Sequence, residues 1–192
     1  FRSGPRVEPL RTWIQQNILF TDYNGWFAVD SDDGSYKYNI TKNVMVWGGC
    51  KNYLSADKSC GPDNVILYPG AKNRTGTVMF SGCQSDYTTG TDPSGVMWNQ
   101  YYFGNKCFMA DVDEATPASF FAFCCKNCLA ASLSNTSGFQ SWNNTYYSPN
   151  AKFRPGPTDS NCQVENFTSW QKYGQDKGSQ VLTTPPADEI VD

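Results

Sequence analysis

The residues best placed to do chemistry lie in one acidic stretch, Asp30-Ser31-Asp32-Asp33-Gly34-Ser35. Hydrolysis of a glycosidic bond needs two carboxyl groups, one as acid and one as nucleophile or base. On a strand, residues i and i+2 face the same way, so Asp30 and Asp32 can share a groove. Asp33 faces away unless the chain has already turned. Lys51 and Lys58, with Asp57 beside the latter, follow one repeat later and could reach the same face. They would supply the base and the cation that a lyase needs against a uronate carboxylate. Trp26 could stack on a sugar ring. Each of these groups also has a plainer reading. Asp and Ser bond their own backbone in turns, and Gly34 suits a positive φ. The lysines read equally as solvated surface charge, and aromatics as core.

Other chemistries are narrower. The chain has no histidine, so a Ser-His-Asp triad is excluded. No cofactor is called for. Calcium is the one ion the acidic stretch could hold, but Gly34 comes one place early for an EF-hand loop and no Glu closes it.

Eight cysteines are present: Cys50, Cys60, Cys83, Cys107, Cys124, Cys125, Cys128 and Cys162. An even count fits disulfides in an oxidising compartment, with the pairing left open. Cys125-Lys-Asn-Cys128 has zinc-ligand spacing, yet no second close pair and no histidine complete such a site. Five Asn-x-Ser/Thr sequons, at Asn39, Asn73, Asn135, Asn143 and Asn166, point to the same compartment. A secreted, N-glycosylated protein is expected. The chain begins Phe1-Arg-Ser-Gly, which reads as a processed product or a fragment.

Composition sets the outer limits. A net charge of -3 and a pI near 4.9 argue against a nucleic-acid partner, which needs clustered Lys and Arg. No apolar run reaches the ~18 residues of a membrane span.

The elements that must position these residues are short strands rich in Val, Ile, Tyr and Trp, separated by Gly, Asn and Pro turns. Asparagine leads three apolar runs, Asn17-Ile-Leu-Phe, Asn43-Val-Met-Val and Asn64-Val-Ile-Leu, in steps of 26 and 21 residues. Later rungs are expected at Asn99 and Asn144. A period of twenty-odd residues with several strands per period suggests a solenoid, in which stacked asparagines satisfy one another. A β-sandwich is the alternative. One helix is expected over 116–132, where Thr116-Pro117 precedes an Ala-rich run. The expected organisation is a lead-in over 1–9, a single domain over 10–182 with an insertion at about 104–138, and an extended tail over 183–192.

Two stretches carry a resemblance. Residues 12–69, with Asn17-Ile-Leu-Phe-Thr-Asp-Tyr, Trp26-Phe-Ala-Val-Asp-Ser-Asp-Asp-Gly-Ser35 and Asn64-Val-Ile-Leu-Tyr-Pro69, resemble eukaryotic right-handed parallel β-helix proteins. Residues 139–186, with Ser169-Trp170-Gln171 followed by Gly174, Asp176 and Ser179, look like the closing segment of the pectate-lyase-like superfamily. The resemblance implies an all-β, right-handed parallel β-helix with one short helical, cysteine-rich insertion. That superfamily includes glycoside hydrolases and polysaccharide lyases, and some of its hydrolases carry a similar Asp-Asp-Gly-Ser element near the cleft. The chain resembles only the C-terminal part of such a protein. Its first coil would then be open, to be met by missing N-terminal coils, by another copy, or by glycans along the groove. The favoured expectation is a non-catalytic extracellular glycoprotein with a structural, assembly or glycan-binding role. The alternative is a glycan-cleaving enzyme using Asp30, Asp32 and Asp33.

Overall fold

A computed structural model describes residues 10–20, 27–31, 37–53, 56–68, 83–87, 98–109, 121–123, 139–148, 166–172 and 174–184. The described chain is mostly parallel β-strand with one short helix. It passes repeatedly through three sheets, A, B and C, in the same order. The first circuit holds β1 (Thr12–Gln15), β2 (Ile18–Phe20) and β3 (Phe27–Ser31). The second holds β4 (Tyr38–Thr41), β5 (Val44–Val46) and β6 (Gly49–Tyr53). The third holds β7 (Ala56–Cys60), β8 (Val65–Leu67) and β9 (Gln84–Tyr87). The fourth holds β10 (Trp98–Phe103), β11 (Lys106–Phe108) and β12 (Phe121–Phe123). A last pass adds β13 (Phe139–Trp142), β14 (Thr145–Tyr147), helix α1 (Phe167–Lys172) and β15 (Gln180–Leu182).

Sheet A runs β1-β4-β7-β10-β13, sheet B β2-β5-β8-β11-β14-β15, and sheet C β3-β6-β9-β12. These stacked parallel sheets are compatible with a parallel β-helix. Register puts like positions in columns. In sheet A, Ile14, Ile40, Cys60, Tyr102 and Ser141 align. In sheet B, Leu19, Met45, Ile66, Cys107, Tyr146 and Val181 align. The middle members of both columns are wholly buried and form the core. The period of two explains the choice: in sheet B the central residue of each three-residue strand faces inward.

Two disulfides cross this interior. Cys50–Cys60 joins sheet C to sheet A, and Cys83–Cys107 joins the entry of β9 to sheet B. The other four cysteines lie outside the described residues. So do the lead-in over 1–9 and the sequons at Asn73 and Asn135.

Two expectations are corrected. Phe121–Phe123, inside the expected helix, is a strand paired with β9, because three aromatic-rich residues gain a ladder partner there. The remainder of 116–132 lies outside the described residues. Gly104 and Asn105 make the corner into β11. The fourth rung is therefore Asn105, and Asn99 lies within β10. Among the described residues no helix is long and apolar enough to cross a membrane.

Candidate functional site

The corner between sheets A and B repeats one device. A residue with positive φ (Gln16, Lys42, Asp63, Gly104 and Asn143 in turn) precedes an asparagine. The side chains of Asn17, Asn43, Asn64, Asn105 and Asn144 then form a continuous ladder. Asn64 shows why asparagine is used. Its Nδ2 donates to the Ile40 carbonyl at 2.8 Å and to Asn105 Oδ1 at 2.9 Å. Its Oδ1 accepts from the backbone N–H and Nδ2 of Asn43 at 3.0 and 3.1 Å. All four hydrogen-bonding positions of the amide are filled, so the side chain can be fully buried. Asn43, Asn105 and Asn144 likewise reach back to the carbonyls of Ile14, Cys60 and Tyr102.

The ladder ends on an acid. Asp176 is wholly buried and accepts from Asn144 Nδ2 at 3.0 Å, Tyr146 Oη at 3.0 Å, Trp170 Nε1 at 2.6 Å and Ser179 Oγ at 2.7 Å. Trp170, the one buried residue of α1, lies over this end of the core. Gln175 completes the closure by accepting from the Ser141 backbone N–H at 2.9 Å. Burial pushes the Tyr146 phenol well above the ordinary tyrosine range, and the Asp176 carboxylate raises it further. Tyr102 is raised by the same two causes in the same order.

The other end is different. β1, β2 and β3 are the outermost strands of their three sheets. Asn17 donates forward to Asn43 Oδ1, but its second donor bond turns to Gln15 of its own circuit, at 2.9 Å. Its Oδ1 accepts no bond among the described residues. Leu10, Trp13, Ile18 and Phe20 are exposed by 92, 57, 68 and 69 %. These four make up most of the exposed large apolar residues described. The first circuit thus presents strand edges, an acceptor and apolar side chains together.

The acidic stretch is only partly described. Asp30 lies in β3, directly opposite Lys51 of β6 in the parallel register. Asp32, Asp33 and Trp26 lie outside the described residues. Lys58 is not solvated surface charge: it is fully buried in β7, with Nζ 5.8 Å from the centroid of the Tyr38 ring. Lys58 in β7 and Asp30 in β3 stand in different sheets.

Among the described residues, no group of three or more His, Cys, Asp or Glu side chains could hold a metal ion. Compared with models of protein families, with curated proteins and with solved structures, the chain matches none.

Proposed function

We propose that the chain belongs to a secreted, N-glycosylated right-handed parallel β-helix protein of the pectate-lyase-like kind. Its role is structural, and it assembles through its first coil. One observation supports this reading: the last circuit is closed by Trp170 and Asp176, while in the first, among the described residues, three strand edges and Asn17 Oδ1 have no partner and four large apolar side chains are exposed. Two disulfides across the interior support an oxidising compartment. The same edges would take further coils preceding this stretch or a second copy; the copy is the occupant that the purified chain alone can supply. Because one end is sealed, copies meet open end to open end, which gives a closed two-fold pair rather than a fibre.

Sedimentation of the purified glycoprotein tests this. A concentration-dependent dimer is expected, and Trp13→Asp together with Ile18→Asp should convert it to monomer. A monodisperse monomer of the unmutated chain at about 100 μM, where a dimer with a Kd of ~1 μM would be well populated, would overturn the reading.

A second reading, a glycan-cleaving enzyme, is favoured by the register of Asp30 against Lys51. Carboxylates about 5–9 Å apart in an open groove would be its geometry. A glycan-library screen in which cleavage is lost in Asp32→Asn would establish it in place of the structural role.

A further inference from the structure

The described sequons divide by position. Asn39 sits in the middle of β4, with Trp13 of β1 on one side and Ser59 of β7 on the other. It is 8 % exposed, and its Oδ1 accepts from Ser59 Oγ at 2.7 Å and from Arg11 Nη1 at 3.0 Å. Next to the inward-facing Ile40, its side chain stands on the outer face of sheet A, and a sugar on its Nδ2 would have to find room among Arg11, Trp13 and Ser59, which cover it. Asn143 and Asn166 are exposed. Asn143 stands at the A–B corner with φ 53°, and its backbone N–H donates to Lys177 at 3.0 Å. Its side-chain oxygen fills the space that Gly178 leaves by lacking a Cβ. Asn166 caps α1, its Oδ1 accepting from the Ser169 N–H at 2.9 Å. That bond uses the oxygen, so a sugar on Nδ2 leaves the cap intact.

We propose that Asn143 and Asn166 carry N-linked oligosaccharides and that Asn39 stays bare, so that the described glycans gather at the sealed end. The inference rests on the secretory reading above. In the transfer, Nδ2 loses a proton and bonds to the anomeric carbon of an oligosaccharide, whose bond to a polyprenyl diphosphate breaks. The diphosphate leaves with the electron pair, and nothing is oxidised or reduced. The consequence is steric. Two hydrated, branched substituents flank Trp170 and Lys177, so no further chain can stack there. The first circuit holds no sequon, and Asn39 of the second is closed off, so that face stays clear for contact.

The test uses the full chain secreted from a eukaryotic host. Enzymatic release of N-glycans in H2¹⁸O marks each occupied asparagine as ¹⁸O-aspartate, read by mass spectrometry. Label at Asn143 and Asn166 in most molecules, with none at Asn39, is the expected result. Asn143→Gln and Asn166→Gln should each remove one glycan's mass on a gel, and Asn39→Gln none. Label at Asn39 in soluble protein would overturn the proposal. So would label at Asn73 or Asn135 with none at Asn143 and Asn166. If no sequon is labelled and all eight cysteines react before reduction, the secretory reading has failed and the proposal falls with it.

Discussion

Trp170 Nε1 donates to Asp176 Oδ2 at 2.6 Å, and this bond ties the only described helix to the end of the asparagine ladder. Ser179, between Gly178 with φ 75° and β15, holds the sixth corner position and accepts from the Asn144 N–H, while Asp176 supplies the acceptor that a sixth asparagine would offer to Asn144 Nδ2. A carboxylate there can accept from four donors, whereas an amide must offer hydrogens of its own.

Asp176→Asn is therefore expected to destabilise the chain by about 3 kcal/mol, since at least one buried donor loses a charged acceptor. Urea unfolding at neutral pH measures it. Trp170 fluorescence should report greater solvent access in the variant before the main transition.

Position along the ladder should matter as much as residue type. Asn64→Ala strands buried groups on Asn43, Ile40 and Asn105 and should cost about 4 kcal/mol. Asn17→Ala removes the same amide where the rung is exposed and should cost under about 1 kcal/mol. Equal losses in the two urea midpoints would refute the ladder as a cooperative element.

Alkaline pH should unfold the protein through its buried phenols. Tyr102 and Tyr146 are held protonated in the folded state by burial and by Asp176. Below about pH 10 the folded and unfolded chains carry the same protons on these groups, and their contribution is complete. Above it the unfolded phenols ionise while the folded ones do not, so stability falls as pH rises. The urea midpoint should drop between pH 9 and pH 11, and less steeply in Tyr146→Phe. That variant should lose about 1–3 kcal/mol at pH 7 through its bond to Asp176.

Each disulfide closes a loop, of 10 residues for Cys50–Cys60 and 24 for Cys83–Cys107. The chain-entropy argument gives about 3 kcal/mol for each, slightly more for the longer loop. Paired Cys→Ala variants, compared by thermal unfolding, should show that order. A larger loss from the shorter loop would mean that packing at Cys50 and Cys60 dominates.

Much of the ladder was legible because Asn17, Asn43 and Asn64 each lead an apolar triplet. Asn105 was not, because its triplet begins with Lys106 and Asn99 stands ahead of it in the chain. The usable signal was the corner dipeptide Gly104-Asn105, in which a residue suited to positive φ precedes the amide. Trp170, Asp176 and Ser179 were picked out as a closing pattern, and they do meet in one hydrogen-bonded cluster. Helix α1 escaped notice because six residues cannot show a helical period. Its trace was the cap Asn166, three residues before Ser169. Lys58 misled for a physical reason: a lysine on a short polar strand reads as surface. Its burial beneath the Tyr38 ring depends on a register between β4 and β7 that no local pattern reveals.

The asparagine amides also share an orientation. At every step Nδ2 points toward the later circuit and Oδ1 toward the earlier one, from Asn17 through Asn144. Five aligned side-chain dipoles add, as peptide dipoles do along an α-helix. The stack thus has an internal electrical axis. Its positive pole is met by the Asp176 carboxylate. Its negative pole is Asn17 Oδ1, which accepts no bond among the described residues. That pole attracts N–H groups and cations and repels carboxylates, so a second copy must meet it with a donor and not with its own Asn17 Oδ1.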